Sequence, residues 1–109
     1  MDTNCVIVLT TIGSGTDSRT LASRLIHERL AACVNVLPEM ESTYRWKGAV
    51  ESERERQLVI KTSADCVPAL QARLQELHPY ELPEFLVLAV GGGSEKFLEW
   101  IKASTVKTG

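Results

Sequence analysis

Apolar and polar positions along the chain fall into blocks of two different periodicities. Cys5-Val6-Ile7-Val8-Leu9 is a largely β-branched run without polar interruption, bounded by Thr10-Thr11 and Gly13-Ser14-Gly15. It reads as a strand buried on both faces. Behind the glycines, Thr16, Asp17 and Ser18 offer helix caps. Leu21, Ala22, Leu25, Ile26 and Leu30 then recur at helical spacing opposite Arg19, Arg24 and Glu28, which predicts an amphipathic helix over residues 18–30. Residues 32–37 predict a second strand. Pro38 ends it, and its missing N–H suits a sheet edge.

The pattern then alternates, with Tyr44 and Trp46 on one face and Thr43, Arg45 and Lys47 on the other, until Gly48 supplies a turn. The charged run of residues 51–56 reads as a solvated strand surface. It leads into Leu58-Val59-Ile60-Lys61-Thr62, closing a hairpin long enough to project beyond the body. Ser63 or Asp65 caps a second helix carrying Val67, Leu70, Leu74 and Leu77, with Pro68 tolerated in its first turn and Pro79 ending it. Residues 78–84, with two prolines, predict a stiff exposed connection. An apolar strand over 85–90 follows, and then Ser94 caps a terminal helix with Phe97, Leu98, Trp100 and Ile101.

Two βαβ halves joined by a hairpin form an α+β, ferredoxin-like split βαβ sandwich. The expected sheet has four antiparallel strands, a long hairpin between the second and third, both internal helices on one face, and a C-terminal helix. The first and last strands are apolar on both faces, yet two helices cover only one. At about 25 cal/mol per Å², hiding several hundred Å² of apolar sheet is worth on the order of 10 kcal/mol before association costs. The chain is therefore expected to form an obligate homo-oligomer over that open face.

At 109 residues with 44% apolar content, the chain suits a single domain spanning 1–109. Fourteen acidic against twelve basic side chains, a net charge of -2 and no block of like charge disfavour a nucleic-acid partner. No apolar run approaches the ~20 residues of a membrane span. Met1, Asp2, Thr3 and Asn4 carry no basic flank, so a cytoplasmic address is expected. Cys5, Cys33 and Cys66 fit neither a disulfide framework nor a CxxC zinc pattern, and read as reduced and structural.

No nucleophile or nucleotide motif is present, so the chain is not expected to be an enzyme. Gly13-Ser14-Gly15 and Gly91-Gly92-Gly93 read as turns, and His27 as an ordinary helix residue. His78 differs, because it precedes a rigid proline with Glu81 and Glu84 nearby, and imidazole with carboxylate suits a divalent ion. Tyr44 and Trp46 on the arm either pack against another subunit or line a pocket with Lys61, Tyr80 and Glu84.

Glu28-Arg29-Leu30-Ala31-Ala32-Cys33-Val34-Asn35-Val36, Ser42-Thr43-Tyr44-Arg45-Trp46-Lys47-Gly48, Lys61-Thr62, His78-Pro79-Tyr80-Glu81-Leu82-Pro83-Glu84 and Leu98-Glu99-Trp100-Ile101 resemble the CutA divalent-cation tolerance family over nearly the whole chain. The resemblance implies a cytoplasmic, tightly associated homotrimer, similar in architecture to PII signalling proteins, that serves tolerance of copper and other divalent ions. The copper ligands it implies are a cysteine ending the first strand and paired histidines before Pro-Tyr. Here those positions hold Thr10 and Leu77, which leaves His78 alone, so metal should bind weakly and with little selectivity. The family's inter-subunit cleft matches at Tyr44, Trp46, Glu53, Lys61, Tyr80 and Glu84, where a small polar ligand would sit. No cofactor is required on this reading, beyond copper or another divalent cation as a weakly held ligand. Two other functions fit the resemblance: a PII-like trimer that binds a small signalling ligand, and an enzyme completed between subunits, with Lys61 or His78 as acid or base beside Glu84.

Overall fold

A computed structural model describes residues 3–105; Met1 and Asp2, part of the N-terminal reading above, lie outside them. The chain runs β1 (Cys5–Gly13), α1 (Ser18–His27), β2 (Cys33–Val36), β3 (Met40–Trp46), β4 (Ala49–Ser63), a single 3-10 turn, α2 (Val67–Leu77), β5 (Leu86–Ala89) and α3 (Glu95–Thr105). The strands form one antiparallel sheet in the order β2-β4-β1-β5, with β3 also paired to β4. This is the expected split βαβ layout, and β2 is an edge strand as Pro38 required.

Three boundaries differ from the sequence expectation. The hairpin is divided in two, because Pro38 breaks the incoming strand into β2 and β3. Both then pair with the fifteen-residue β4, β2 from Val36↔Leu58 to Cys33↔Lys61 and β3 from Met40↔Glu55 to Trp46↔Ala49. The sheet thus has five strands, and β3 with the outer half of β4 makes an arm. Lys47 and Gly48 close its tip with φ of 49° and 82°, the two left-handed positions of a tight hairpin turn. Second, β1 continues through Thr10, Thr11 and Ile12 to Gly13, since the long β4 still offers partners there, ending at Gly13↔Glu55. Third, α1 stops at His27. Arg29 takes φ 61° and donates its N–H to the Ile26 carbonyl at 3.0 Å, while the Leu30 N–H reaches the Leu25 carbonyl at 3.0 Å. These bonds close the helix in a Schellman motif. Leu30 keeps its buried place, 6% exposed, without being helical.

The alternation of β1 and β4 sends Val6, Val8, Ile12, Leu58 and Ile60 to one face, where they meet Leu21 and Leu25 of α1 and Leu70 and Leu74 of α2. The opposite face is not left wholly to solvent, contrary to the simple two-helix picture. There α3 crosses one end of the sheet and buries Ile101 against Cys5 and Ala32. Beyond α3 the face stays open. Ile7 and Leu9, half-buried, pair with Leu88 and Leu86, which are 49% and 55% exposed, and Phe97 and Trp100 of α3 are also exposed. The arm stretches the molecule to 44 × 28 × 23 Å, with a radius of gyration of 14.7 Å against about 13 Å expected for a compact chain of this length.

Candidate functional site

Along the arm, Ser42, Tyr44 and Trp46 of β3 are half-buried while Glu41, Thr43 and Arg45 are exposed. In β4 the same period of two separates charge by sign. Glu51, Glu53 and Glu55 line a cleft beneath the arm, whereas Arg54 turns away to Glu39, its Nε and Nη2 donating to one carboxylate oxygen at 2.9 and 2.7 Å. Arg56 likewise donates to the Leu37 carbonyl at 3.2 Å. The run of residues 51–56 is therefore a sorted strand rather than a uniformly solvated one.

The opposite wall is the connection between α2 and β5, which supplies Tyr80, Glu81, Leu82, Pro83 and Glu84. Far from being uniformly exposed, this segment turns His78, Tyr80, Pro83 and Glu84 partly inward. Thr10 Oγ1 donates to the Glu84 carbonyl at 2.7 Å, and Gln57 Nε2 donates to the Glu84 carboxylate and the Thr10 carbonyl, each at 2.8 Å. Tyr80 is seated against Gly13, where a Cβ would lie 3.1 Å from the phenol oxygen, so a side chain at that position would push the ring out. The resulting cleft encloses about 830 Å³. The Tyr44 phenol is pushed up to about 12, chiefly by its interaction with Glu53, then by desolvation and by the nearby charges of Glu55 and Glu51. Burial, with Glu55 and Glu53, also raises Tyr80, against an opposing hydrogen bond with the Gly13 backbone.

Of the six candidate cleft residues, Tyr44, Trp46, Glu53, Tyr80 and Glu84 converge on this space. Lys61 does not. It lies in the inner half of β4, paired with Ile7 and Cys33 on the open sheet face, with its Nζ 6.0 Å from the Phe97 ring centre. Glu51, Glu55 and Gln57 also line the cleft and were missed. The signal was available, since carboxylates at i, i+2 and i+4 of a strand share one face.

His78 caps the C-terminal end of α2 and packs edge-on against Tyr80, with ring centres 4.3 Å apart. Thr10, His78 and Glu84 share a small recess of about 20 Å³, and His78 Nε2 faces burial without a hydrogen-bond partner among the described residues. The donors there do not fit the thiolate and paired imidazoles of a soft-metal site. The Thr10 hydroxyl is committed to Glu84, Leu77 packs on the core, and the described residues contain no group of three His, Cys, Asp or Glu able to hold an ion. Burial lowers the His78 pKa below its ordinary 6.5, with Glu55 opposing more weakly. A ring kept neutral by the fold contributes stability above the unfolded value and loses it as pH falls through about 6.5 towards the folded one. Thermal melts from pH 8 to pH 5 should therefore show a decline below about 6.5 that is shallower in His78→Gln.

Fold and cleft together define a ferredoxin-like α+β protein with an extended hairpin arm and a polar, aromatic cleft at the arm's base. The CutA1 divalent ion tolerance protein family matches residues 6–104, and the chain belongs to that family. It is 41% identical over 99 residues to the divalent-cation tolerance protein CutA of Thermus thermophilus, spanning 91% of this chain and 96% of that protein. It is 40% identical over 100 residues to the chloroplastic protein CutA of Arabidopsis thaliana, covering 92% of this chain but only 55% of the longer plant protein. The solved structure of the Thermus thermophilus Cut A1 protein superposes with a TM-score of 0.89 at 40% identity, over 94% of this chain and 99% of that one. Among the described residues no helix is long and apolar enough to cross a membrane.

Proposed function

We propose that the chain acts as a homotrimeric, cytoplasmic binding protein in the response to divalent cations, and that it is not an enzyme. The observation that carries the assembly is the apolar strip left on the open sheet face, where Leu86 and Leu88 stand about half exposed beside Ile7 and Leu9, with Phe97 and Trp100 at its border. A strip of that kind is the signature of an association surface. Membership of the CutA1 divalent ion tolerance family supports the cation response. Sedimentation at micromolar concentration is expected to give three times the 12.0 kDa chain mass; a stable single chain would refute the assembly.

Copper contact on this reading is weak and runs through His78, the single imidazole retained near Thr10. Calorimetric titration should show weak copper binding that is lost in His78→Ala. Equal binding by both proteins would remove His78 as a ligand.

A second reading is favoured by the arm cleft, whose volume falls within the range of about 300–1,000 Å³ typical of small-molecule sites. On that reading the trimer binds a small ligand there and signals its presence in the manner of PII-like proteins.

A further inference from the structure

We propose that α3 is a hinged cover, which swings as one unit on Gly91, Gly92 and Gly93 and uncovers the thiols of Cys5 and Cys66 while the rest of the fold stays intact.

The hinge is marked by what stops and starts on either side of it. Up to Val90 the chain is pinned to β1, since the Val90 N–H donates to the Cys5 carbonyl at 3.0 Å and its carbonyl accepts from Thr3 Oγ1. From Gly91 to Phe97 every residue is exposed, and nothing lies within 4 Å of where a Cβ would stand at Gly91 or Gly92. Successive glycines in open space restrain the backbone little, and hinges are built from a few such positions at the end of an element. The chain is gripped again only from Leu98 onward.

That grip consists of two small patches, and neither shares a residue with the main core. In the first, Ile101 packs with Cys5 and Ala32 on one side of the sheet, whereas Leu21, Leu25, Leu70 and Leu74 fill the core on the other. The second patch holds the last turn of α3, where carbonyls have no partner within a helix. Cys66 Sγ donates to the Thr105 carbonyl at 3.2 Å, Arg29 Nη2 donates to the Ala103 carbonyl at 2.6 Å, and Thr105 Oγ1 stands 3.0 Å from Ser63 Oγ. The sheet lies between these patches and the main core, so departure of α3 opens no cavity there. An element with few buried apolar contacts of its own opens at a lower free energy than the whole fold. Both thiols lie beneath this one helix, each 2% exposed, with Cys5 Sγ 3.7 Å from the Leu98 carbonyl near its start and Cys66 at its end.

The test labels the intact assembly with N-ethylmaleimide at fixed chain concentration over increasing urea. Each cysteine is read by peptide mass spectrometry, and its rate is compared with that of the same cysteine in the denatured chain. Cys5 and Cys66 are expected to be protected equally, within about threefold, with a urea slope less than about half that of global unfolding. Ile101→Ala should speed both by about tenfold or more, and Thr105→Val should speed both severalfold. Leu25→Ala weakens the main core and should leave both rates unchanged at low urea. Protection that follows the global urea slope and falls in Leu25→Ala would overturn the proposal, because α3 would then open only with the body. Protection of the two thiols that differs by more than about tenfold, or an Ile101→Ala change that frees Cys5 alone, would overturn the shared cover.

Discussion

Substituting aspartate for both Leu86 and Leu88 should leave single chains in solution at micromolar concentration, where the parent is expected to sediment as a trimer. Both side chains lie on the open face of β5, opposite Leu9 and Ile7 of β1, so they form the centre of the apolar strip. Burying a leucine contributes about 1.5–3 kcal/mol, and two are lost at every interface. A carboxylate forced into the same dry contact without a partner adds a penalty of comparable or larger size. A combined loss of at least about 5 kcal/mol per interface weakens association by more than a thousandfold. The exposed Ala72→Asp on α2 is the control and should sediment as the parent does. Trimers that survive Leu86→Asp with Leu88→Asp would place the interface on another surface.

The largest effect on the folded chain itself is expected from Leu25→Ala. Leu25 is 0% exposed and packs among Val6, Val8, Leu58, Ile60, Leu70 and Leu74, at the centre of the main core. Deleting such a side chain typically costs about 2–5 kcal/mol, because the transfer energy is lost and the cavity collapses only in part. That is a large share of the roughly 5–15 kcal/mol that holds a domain together. Urea unfolding at fixed chain concentration should show the midpoint fall by about 1–3 M with the slope unchanged. Ser23→Ala on the exposed side of α1 should change the unfolding free energy by less than about 0.5 kcal/mol. A free-energy change within that margin for Leu25→Ala would mean that the core repacks around the gap.

The sequence was most legible where periodicity and punctuation agree. Pro38, Gly48 and Pro79 mark real chain boundaries, and the helical spacing of Leu21, Leu25, Leu70 and Leu74 names the main core. It misled where burial and conformation part company. Leu30 continues the apolar stripe of α1 in space, but Arg29 has already left the helix through a left-handed turn that a non-glycine residue does not advertise. Thr10 and Thr11 look like the end of a strand, yet β1 runs on through them because distant partners in β4 and Glu84 absorb their polar groups. The cleft was half visible. Its aromatic residues stand out by rarity, whereas Glu55 is one acid among fourteen and becomes distinctive only through its burial. Lys61, expected beside Tyr80 and Glu84, lies within one chain at the inner end of β4, opposite Cys33.

β4 extends through both the body and the arm, and its fifteen residues at about 3.3 Å each nearly match the 44 Å long axis of the molecule. The alternation that points Glu53 and Glu55 into the cleft also points Leu58 and Ile60 into the core. Sliding this strand by one residue against β1 would turn carboxylates and leucines over together. The arm is thus not a detachable appendage with its own alignment: a correctly paired core dictates the aim of the acids some way off. Hydrogen exchange along β4 should accordingly report one cooperative unit from Lys61 out to Glu55, with fraying confined to the residues nearer Gly48.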